Sequence, residues 1–238
     1  MMTFPANVKL LSTPRFIEGG NSQGNFGNFN LAIHVNDELN SVMANRELLS
    51  KHYNLPSDPK WINQTHSSIC VDASSIFSSV EADASFSRTP GVVCGVLTAD
   101  CLPVFVSNKK GTIVGVAHAG WRGLLGGVIE SLLESIDCKG NELFVHLGPA
   151  ISKSCYEVGG EVKSQYLLKN EGFERAFVKD NGSYYFDIYD AAKVVLEGYG
   201  VKSISGGDCC TYNDSNEFFS YRRDGINSGR MAHLIWLE

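Results

Sequence analysis

The chain has 238 residues and a formal net charge of −6, with 20 Lys and Arg against 26 Asp and Glu. An acidic balance of this size argues against a basic nucleic-acid-binding surface, so no nucleic-acid partner is predicted. Hydrophobic residues make up 43% and charged residues 19%, an ordinary globular balance that excludes a disordered chain or a small disulfide scaffold.

In chain order, the first notable segment is a Gly- and Asn-rich stretch at 19–30. Such a stretch can turn tightly and expose backbone amides, so it is either a substrate loop or a plain surface loop. The apolar spacing from Leu39 to Leu49, preceded by Asn36 and Asp37, predicts a capped amphipathic helix. Three short β-rich runs come next and are predicted to be neighbouring strands, at 91–98, 103–107 and 112–117.

From Gly120 to Ile136 the apolar spacing becomes helical, which predicts one helix. Residues 143–147 read as a strand again. Two more helical patterns then alternate with three strand-like runs, the helices near 158–168 and 188–198 and the strands at 184–186, 201–204 and 231–237. The sequence therefore predicts a mixed α/β fold. Because no repeat or linker divides the chain, we expect one domain over 1–238.

Neither secretion nor membrane insertion is predicted. The longest apolar runs, such as 91–98 and 113–117, are far shorter than the roughly 18–20 residues that cross a bilayer. The segment 1–9 lacks the basic region and apolar stretch of a secretory signal, which predicts a cytoplasmic protein. The seven cysteines, with Cys209 and Cys210 adjacent, are then expected to be thiols. The sequence leaves the oligomeric state open.

Three residues of metal-ligand type, His66, Cys101 and His118, stand where strand-like runs end. Because strand ends can converge at the edge of a sheet, two imidazoles and one thiolate can supply three of the four positions that zinc prefers. Separations of 35 and 17 residues match no zinc finger, so such a site would be assembled from distant segments. The alternative is two hydrogen-bonded histidines and a core thiol.

Five motifs follow in order along the chain: NQTH at 63–66, TADCLPV at 98–104, AHAGWRG at 117–123, LGPAI with CYEVG at 147–159, and FFSYRRDG with GRMAHLIWL at 218–237. Together they resemble the YfiH/YlmD-like family, long described as laccase-domain or polyphenol oxidase proteins and now as purine nucleoside phosphorylases. The resemblance extends from about Pro14 to Trp236.

That resemblance implies an α/β sandwich similar to the catalytic domain of the cytotoxic necrotizing factors. It also implies a catalytic zinc site made by His66, Cys101 and His118, with a purine nucleoside and phosphate as substrates. Family members are described as phosphorolysing adenosine, inosine and methylthioadenosine, and as deaminating adenosine. Where the family commonly has Gln-Val-His-Gly, this chain has Ser67 in place of the glycine, which adds a Cβ beside a ligand.

A multicopper oxidase is not expected, because six histidines are too few to ligate a blue-copper site and a trinuclear cluster. A single Cu²⁺ could still occupy the three-residue site in vitro, although zinc is the metal we predict. The chain also lacks the H-x-E and P-C-x-x-C signature of nucleobase deaminases, so adenosine deamination would need a different set of residues.

Phosphorolysis needs cationic donors for a dianion, and the arginine fork suits phosphate. Arg46 is predicted to be the leading substrate contact, since its Asn-Arg pair resembles the family, and Arg122, at the start of a predicted helix, is the next. A surface salt bridge is the alternative for either residue. Three further arginines cluster near the C-terminus, and four aromatic residues could stack a purine or fill the core: Arg222, Arg223 and Arg230, and Trp121, Tyr156, Phe219 and Tyr221.

Other functions remain open at this point. A Cys/His hydrolase or amidase would use Cys101 as nucleophile and His118 as base, on an amide or on a peptidoglycan precursor, since an editing role has also been attached to the family. A thiolate coordinated to zinc is a poor nucleophile, which argues against this alternative. Asp100 could orient an imidazole or cap a turn. A third possibility is a non-catalytic binding module stabilised by zinc. Cys155 and the vicinal thiols are predicted to pack or to line the pocket.

Overall fold

The computed structural model describes residues 4–238, so the first three residues of the segment that predicts no secretion lie outside the described part. The described residues form twelve strands: β1 Val8–Ser12, β2 Cys70–Asp72, β3 Ala84–Ser87, β4 Cys94–Thr98, β5 Leu102–Asn108, β6 Val114–Ala119, β7 Leu143–Leu147, β8 Glu157–Val158, β9 Phe177–Asp180, β10 Ser183–Phe186, β11 Ile204–Gly206 and β12 Met231–Leu237. They also form six α-helices: α1 Leu39–His52, α2 Trp121–Gly126, α3 Val128–Ile136, α4 Gly160–Lys169, α5 Ile188–Gly198 and α6 Tyr221–Asp224.

A six-stranded mixed sheet, in the order β11-β7-β5-β6-β3-β2, forms the centre of the fold. Alternate residues of β5 face opposite layers, as the period of a strand requires. Val104 and Val106 pack with α3 and α5, whereas Phe105 packs with residues of β4, β6 and β12. The second sheet, β1-β12-β4, thus covers the face opposite the helices. A third sheet, β8-β10-β9, lies next to α4. The predicted α/β class is confirmed.

Four local predictions were wrong. Helix α1 has Glu38 at its N-cap with no side-chain cap bond, so Asn36 and Asp37 do not cap it. The strand predicted at 201–204 begins only at Ile204. The segment predicted as one helix is two helices, because Gly127 adopts a left-handed conformation with φ of 98° that ends α2 and begins α3. Strand β4 pairs with β12, placing Val96 opposite His233, and so belongs to the second sheet rather than beside β5 and β6. Only β5 and β6 of the three runs are hydrogen-bonded neighbours. Within residues 4–238, no helix is both long and apolar enough to cross a bilayer.

Candidate metal centre

The sheet brings the three predicted ligands together at one edge. Cys101 directly precedes β5, and His118 lies near the end of the antiparallel β6, opposite Pro103. His66 lies in the loop that leads to β2. The ligand-type atoms of the three side chains all lie within 4.8 Å of one another, and Cys101 Sγ is 3.9 Å from His66 Nε2. The three side chains therefore form one cluster that could hold a metal ion.

A buried carboxylate, Asp83, holds this arrangement in place. Its Oδ1 accepts a hydrogen bond from His118 Nδ1 at 2.8 Å and from the His66 backbone N–H at 3.1 Å. Its Oδ2 accepts from the Thr65 N–H, the Ser67 N–H and the Ser67 hydroxyl, the last at 2.7 Å. The bond to Nδ1 leaves His118 Nε2 free to face the centre, as in carboxylate–histidine–metal arrangements. Ser67, where the family commonly has glycine, thus anchors the ligand loop.

The backbone at the centre is strained in a way that only the surrounding bonds can maintain. His66 and Asp100 have φ of 60° and 85°, values that non-glycine residues rarely adopt. Asp100 is held by the Thr211 hydroxyl, at 2.7 Å, and by the Arg222 N–H, at 2.6 Å. Asp100 therefore caps α6 rather than orienting an imidazole. A Cβ at Gly120 would lie 2.7 Å from His66 Cδ2 and 3.0 Å from Cys101 Sγ, so the centre requires glycine there.

Charge favours an ionised thiolate at the centre. Burial opposes ionisation of Cys101, but the His118 charge and hydrogen bonds from both histidines outweigh it and lower the Cys101 pKa. Burial likewise disfavours charged His118, whereas the Cys101 thiolate and Asp83 raise the His118 pKa. Burial disfavours ionised Asp83, yet its bonds to His118 and Ser67 lower its pKa to about 2.

The donor set fits a divalent metal ion. Two imidazole nitrogens and one thiolate are ligands of zinc and of copper, and one coordination position would stay open to substrate. The three side chains each offer one ligand atom, and these atoms lie close enough together that they could hold one ion. The structure thus supports a nitrogen–sulfur metal site.

The three ligands lie in the wall of a cavity of about 520 Å³. Arg122 lines it, with its guanidinium 4.3 Å from the centroid of the Trp121 ring. Among the residues that the structure describes, this guanidinium makes no hydrogen bond and remains available to a ligand. Arg222 lies over the Tyr156 ring at 5.3 Å, and its Nη2 donates to the Glu157 carbonyl. Arg230 and Tyr221 complete this side of the cavity.

Several predicted binding features lie elsewhere. Arg46 is not among the cavity-lining residues: its Nε donates to the Leu31 carbonyl at 2.9 Å, and its guanidinium lies 4.7 Å from the centroid of the Trp61 ring. Phe219 is fully buried beside Met231 and cannot stack a ligand. The 19–30 loop also lies outside the cavity lining. It is held by the Ser22 N–H, which donates to the Asn28 carbonyl within the loop, and by the Asn21 N–H, which donates to Asn45 Oδ1 of α1.

Two residues of the site, Asp83 and His34, were not predicted from the sequence. Asp83 lies between two alanines just before β3, and that flanking by small apolar residues was the one signal of its burial. His34, for which no motif predicts a function, lines the cavity. His233, also given no role, is a buried structural histidine whose two ring nitrogens bond Ser12 and Thr98.

The fold and the strand-end ligands define an α/β protein with a nitrogen–sulfur metal site. The chain belongs to the family described as multi-copper polyphenol oxidoreductase laccase, whose model matches residues 12–238. A purine nucleoside phosphorylase of Pseudomonas aeruginosa is 42% identical over 236 residues, with 98% of this chain and 95% of the relative covered. The purine nucleoside phosphorylase YfiH of Escherichia coli K12 is 42% identical over 234 residues, with the same coverage.

Two solved structures of related proteins are also similar to this chain. The crystal structure of a Neisseria meningitidis protein is similar with a TM-score of 0.93 and 42% identity, and 99% of this chain and 96% of that chain are covered. YlmD of Geobacillus stearothermophilus gives a TM-score of 0.87 and 26% identity, with 98% and 93% covered. The resemblance to the YfiH/YlmD-like family is confirmed.

Proposed function

We propose that this protein is a zinc-dependent purine nucleoside phosphorylase that also deaminates adenosine. The observation that carries the proposal is the convergence of His66, Cys101 and His118 in the wall of a cavity that also presents a free arginine and aromatic rings. The names of the relatives support the reaction class. Adenosine, inosine and methylthioadenosine are the proposed nucleosides.

Zinc, when bound, supplies a Lewis acid that activates an oxygen nucleophile. The protein residues position the donor atoms and the substrate. Asp83 fixes the His118 ring and the loop that carries His66, so the donor atoms need little reorganisation. In phosphorolysis a phosphate oxygen attacks the anomeric carbon as the glycosidic C–N bond breaks, which yields purine base and ribose 1-phosphate. In deamination water replaces the purine amino group, which leaves as ammonia.

Arg122 is the proposed phosphate contact. Its guanidinium can donate two parallel hydrogen bonds to a phosphate, and the N-terminus of α2, where it lies, adds a favourable dipole. Trp121, Tyr156 and Tyr221 offer ring faces or edges to a purine. Recognition would thus come from residues of α2 and α6 and from Tyr156, which line the same cavity as the proposed metal ligands.

The proposal is tested by product analysis of the protein after chelation and after reloading with zinc or with copper. With adenosine and phosphate, the zinc form is expected to yield adenine and ribose 1-phosphate. With adenosine alone it should yield inosine. Absence of nucleoside turnover by the zinc form would refute the proposal, and oxidation of a phenol by the copper form alone would favour the polyphenol oxidase alternative.

One observation favours a second function, a hydrolase or amidase with Cys101 as nucleophile. Asp83 bonds His118, and His118 lies beside Cys101, which is the arrangement of an acid, a base and a nucleophilic thiol in a catalytic triad. The surroundings of Cys101 also favour its thiolate form. Such an enzyme, acting on an amide or on a peptidoglycan precursor, would keep full activity after chelation. The phosphorylase would lose it.

Replacing each arginine in turn by glutamine tests which of the two predicted residues contacts the substrate. Arg122→Gln should raise the KM for phosphate about 10- to 100-fold, the effect of losing charge-assisted hydrogen bonds, with little change in stability. Arg46→Gln should leave that KM nearly unchanged. This substitution should instead lower the free energy of unfolding by about 1–2 kcal/mol, because a hydrogen bond and a cation–π contact are lost. Steady-state kinetics and urea unfolding measure both effects, and a raised KM in Arg46→Gln would restore Arg46 as a substrate contact.

A further inference from the structure

Two cysteines outside the metal centre, Cys155 and Cys210, face each other next to the cavity. Their Sγ atoms are 3.8 Å apart, although the residues are distant in sequence. Both side chains are partly exposed, so a small solute can reach them. Neither residue is a metal-ligand candidate and neither lines the cavity.

The surroundings of the two thiols differ in a way that assigns them different roles. Cys210 Sγ accepts a hydrogen bond from the Ser152 hydroxyl at 2.9 Å, and the Ser152 N–H is at 3.5 Å. Burial opposes its ionisation, but these bonds outweigh burial and lower the Cys210 pKa. The adjacent Cys209 has no such donors, and burial together with Asp208 raises its pKa. Cys155 Sγ lies 3.4 Å from Asn213 Oδ1.

We propose that Cys155 and Cys210 form an oxidisable dithiol, a redox modification site that takes hydroperoxides, with Cys210 as the attacking thiol and Cys155 as the resolving thiol. The Cys210 sulfur attacks one oxygen of the peroxide, so that an S–O bond forms and the O–O bond breaks. Cys210 becomes a sulfenic acid, and the leaving hydroxide takes the thiol proton and departs as water when the peroxide is hydrogen peroxide. The Cys155 sulfur then attacks the Cys210 sulfur, the S–O bond breaks and a second water leaves. Two thiols and one peroxide thus give one disulfide and two waters.

Closure of the disulfide would link two segments that lead to the cavity. The two Sγ atoms have to approach from 3.8 Å to about 2.05 Å. Cys155 directly precedes Tyr156, whose ring lies beneath Arg222 in the cavity. On the other side, Thr211 follows Cys210 and bonds Asp100, which directly precedes Cys101. Oxidation therefore joins a segment next to Tyr156 to one that bonds Asp100, and both of these residues line the cavity.

The experiment treats the zinc-loaded full chain with hydrogen peroxide, blocks free thiols by alkylation and maps the peptides without reduction. We expect a Cys155–Cys210 cross-link, a mass loss of two hydrogens, and recovery of both thiols on treatment with a dithiol reductant. A cross-link through Cys209, or alkylation of both Cys155 and Cys210 after peroxide treatment, would overturn the proposal.

Three variants assign the roles of the thiols. Cys210→Ala should abolish the cross-link and leave Cys155 reduced. Cys155→Ala should stop the reaction at a sulfenic acid on Cys210, which a cyclic diketone such as dimedone traps. Cys209→Ala is the matched control and should form the cross-link as the unmodified chain does. Thermal unfolding checks that each variant is folded, and a trapped sulfenic acid on Cys155 rather than Cys210 would contradict the assigned order.

Discussion

Replacing Asp83 by asparagine is expected to lower the free energy of unfolding by about 3–5 kcal/mol, the cost of breaking a buried ion pair. The Asp83 side chain is fully buried, and each of its oxygens accepts at least two hydrogen bonds. An asparagine NH₂ must replace one oxygen, so it would point a donor at two or more donors whichever way the amide turns. Loss of this anchor should also weaken zinc binding about 10- to 100-fold.

Asp72→Asn is the matched control for this change. The Asp72 carboxylate also accepts from a backbone N–H and a hydroxyl, both of Ser74, but at an exposed turn. Its loss should cost about 1 kcal/mol and leave zinc binding unchanged. Urea unfolding of the metal-free proteins and competition with a chromophoric chelator measure the two effects. If both variants lose the same small amount of stability, Asp83 does not anchor the centre.

Strand-like runs in the sequence mark two of the three residues of the cluster, Cys101 and His118, whereas His66 lies in a loop and was singled out by its motif. His118 lies near the end of β6, Cys101 precedes β5, and the antiparallel register of these strands then fixes their separation. Asp83 could not be predicted, because Glu81 lies two residues away and the sequence does not show which acid is buried. What distinguishes Asp83 is the convergence of donors from the 65–67 loop and His118, a tertiary effect.

The wrong local predictions have similar causes. Periodicity alone joined α2 to α3, although the Gly126-Gly127 pair was a signal that a helix could end there with a left-handed residue. No local pattern shows that β4 pairs with β12, since the partners are far apart in sequence. Arg46 looked available for substrate because helix spacing does not reveal that the side chain reaches the Leu31 carbonyl.

Replacing Cys101 by serine is expected to remove the metal and the activity together while keeping the fold. A serine hydroxyl is nearly isosteric with the thiol but stays protonated at neutral pH, so the site loses its anionic ligand. Zinc affinity and nucleoside turnover should each fall by more than about 100-fold, beyond the loss typical of an outer-shell partner. Unfolding should change little, because the side chain is only partly buried.

Metal content and product formation, measured on the same sample, decide what Cys101 does. Cys138→Ser, another partly buried thiol, is the control and should keep both zinc and turnover. Loss of turnover with zinc retained would contradict the ligand role and favour Cys101 as a nucleophile, because a nucleophile can be lost without disturbing the ion. Loss of both, with turnover partly regained at high zinc concentration, is the result that a ligand requires, since excess metal offsets weak binding but cannot replace a missing nucleophile.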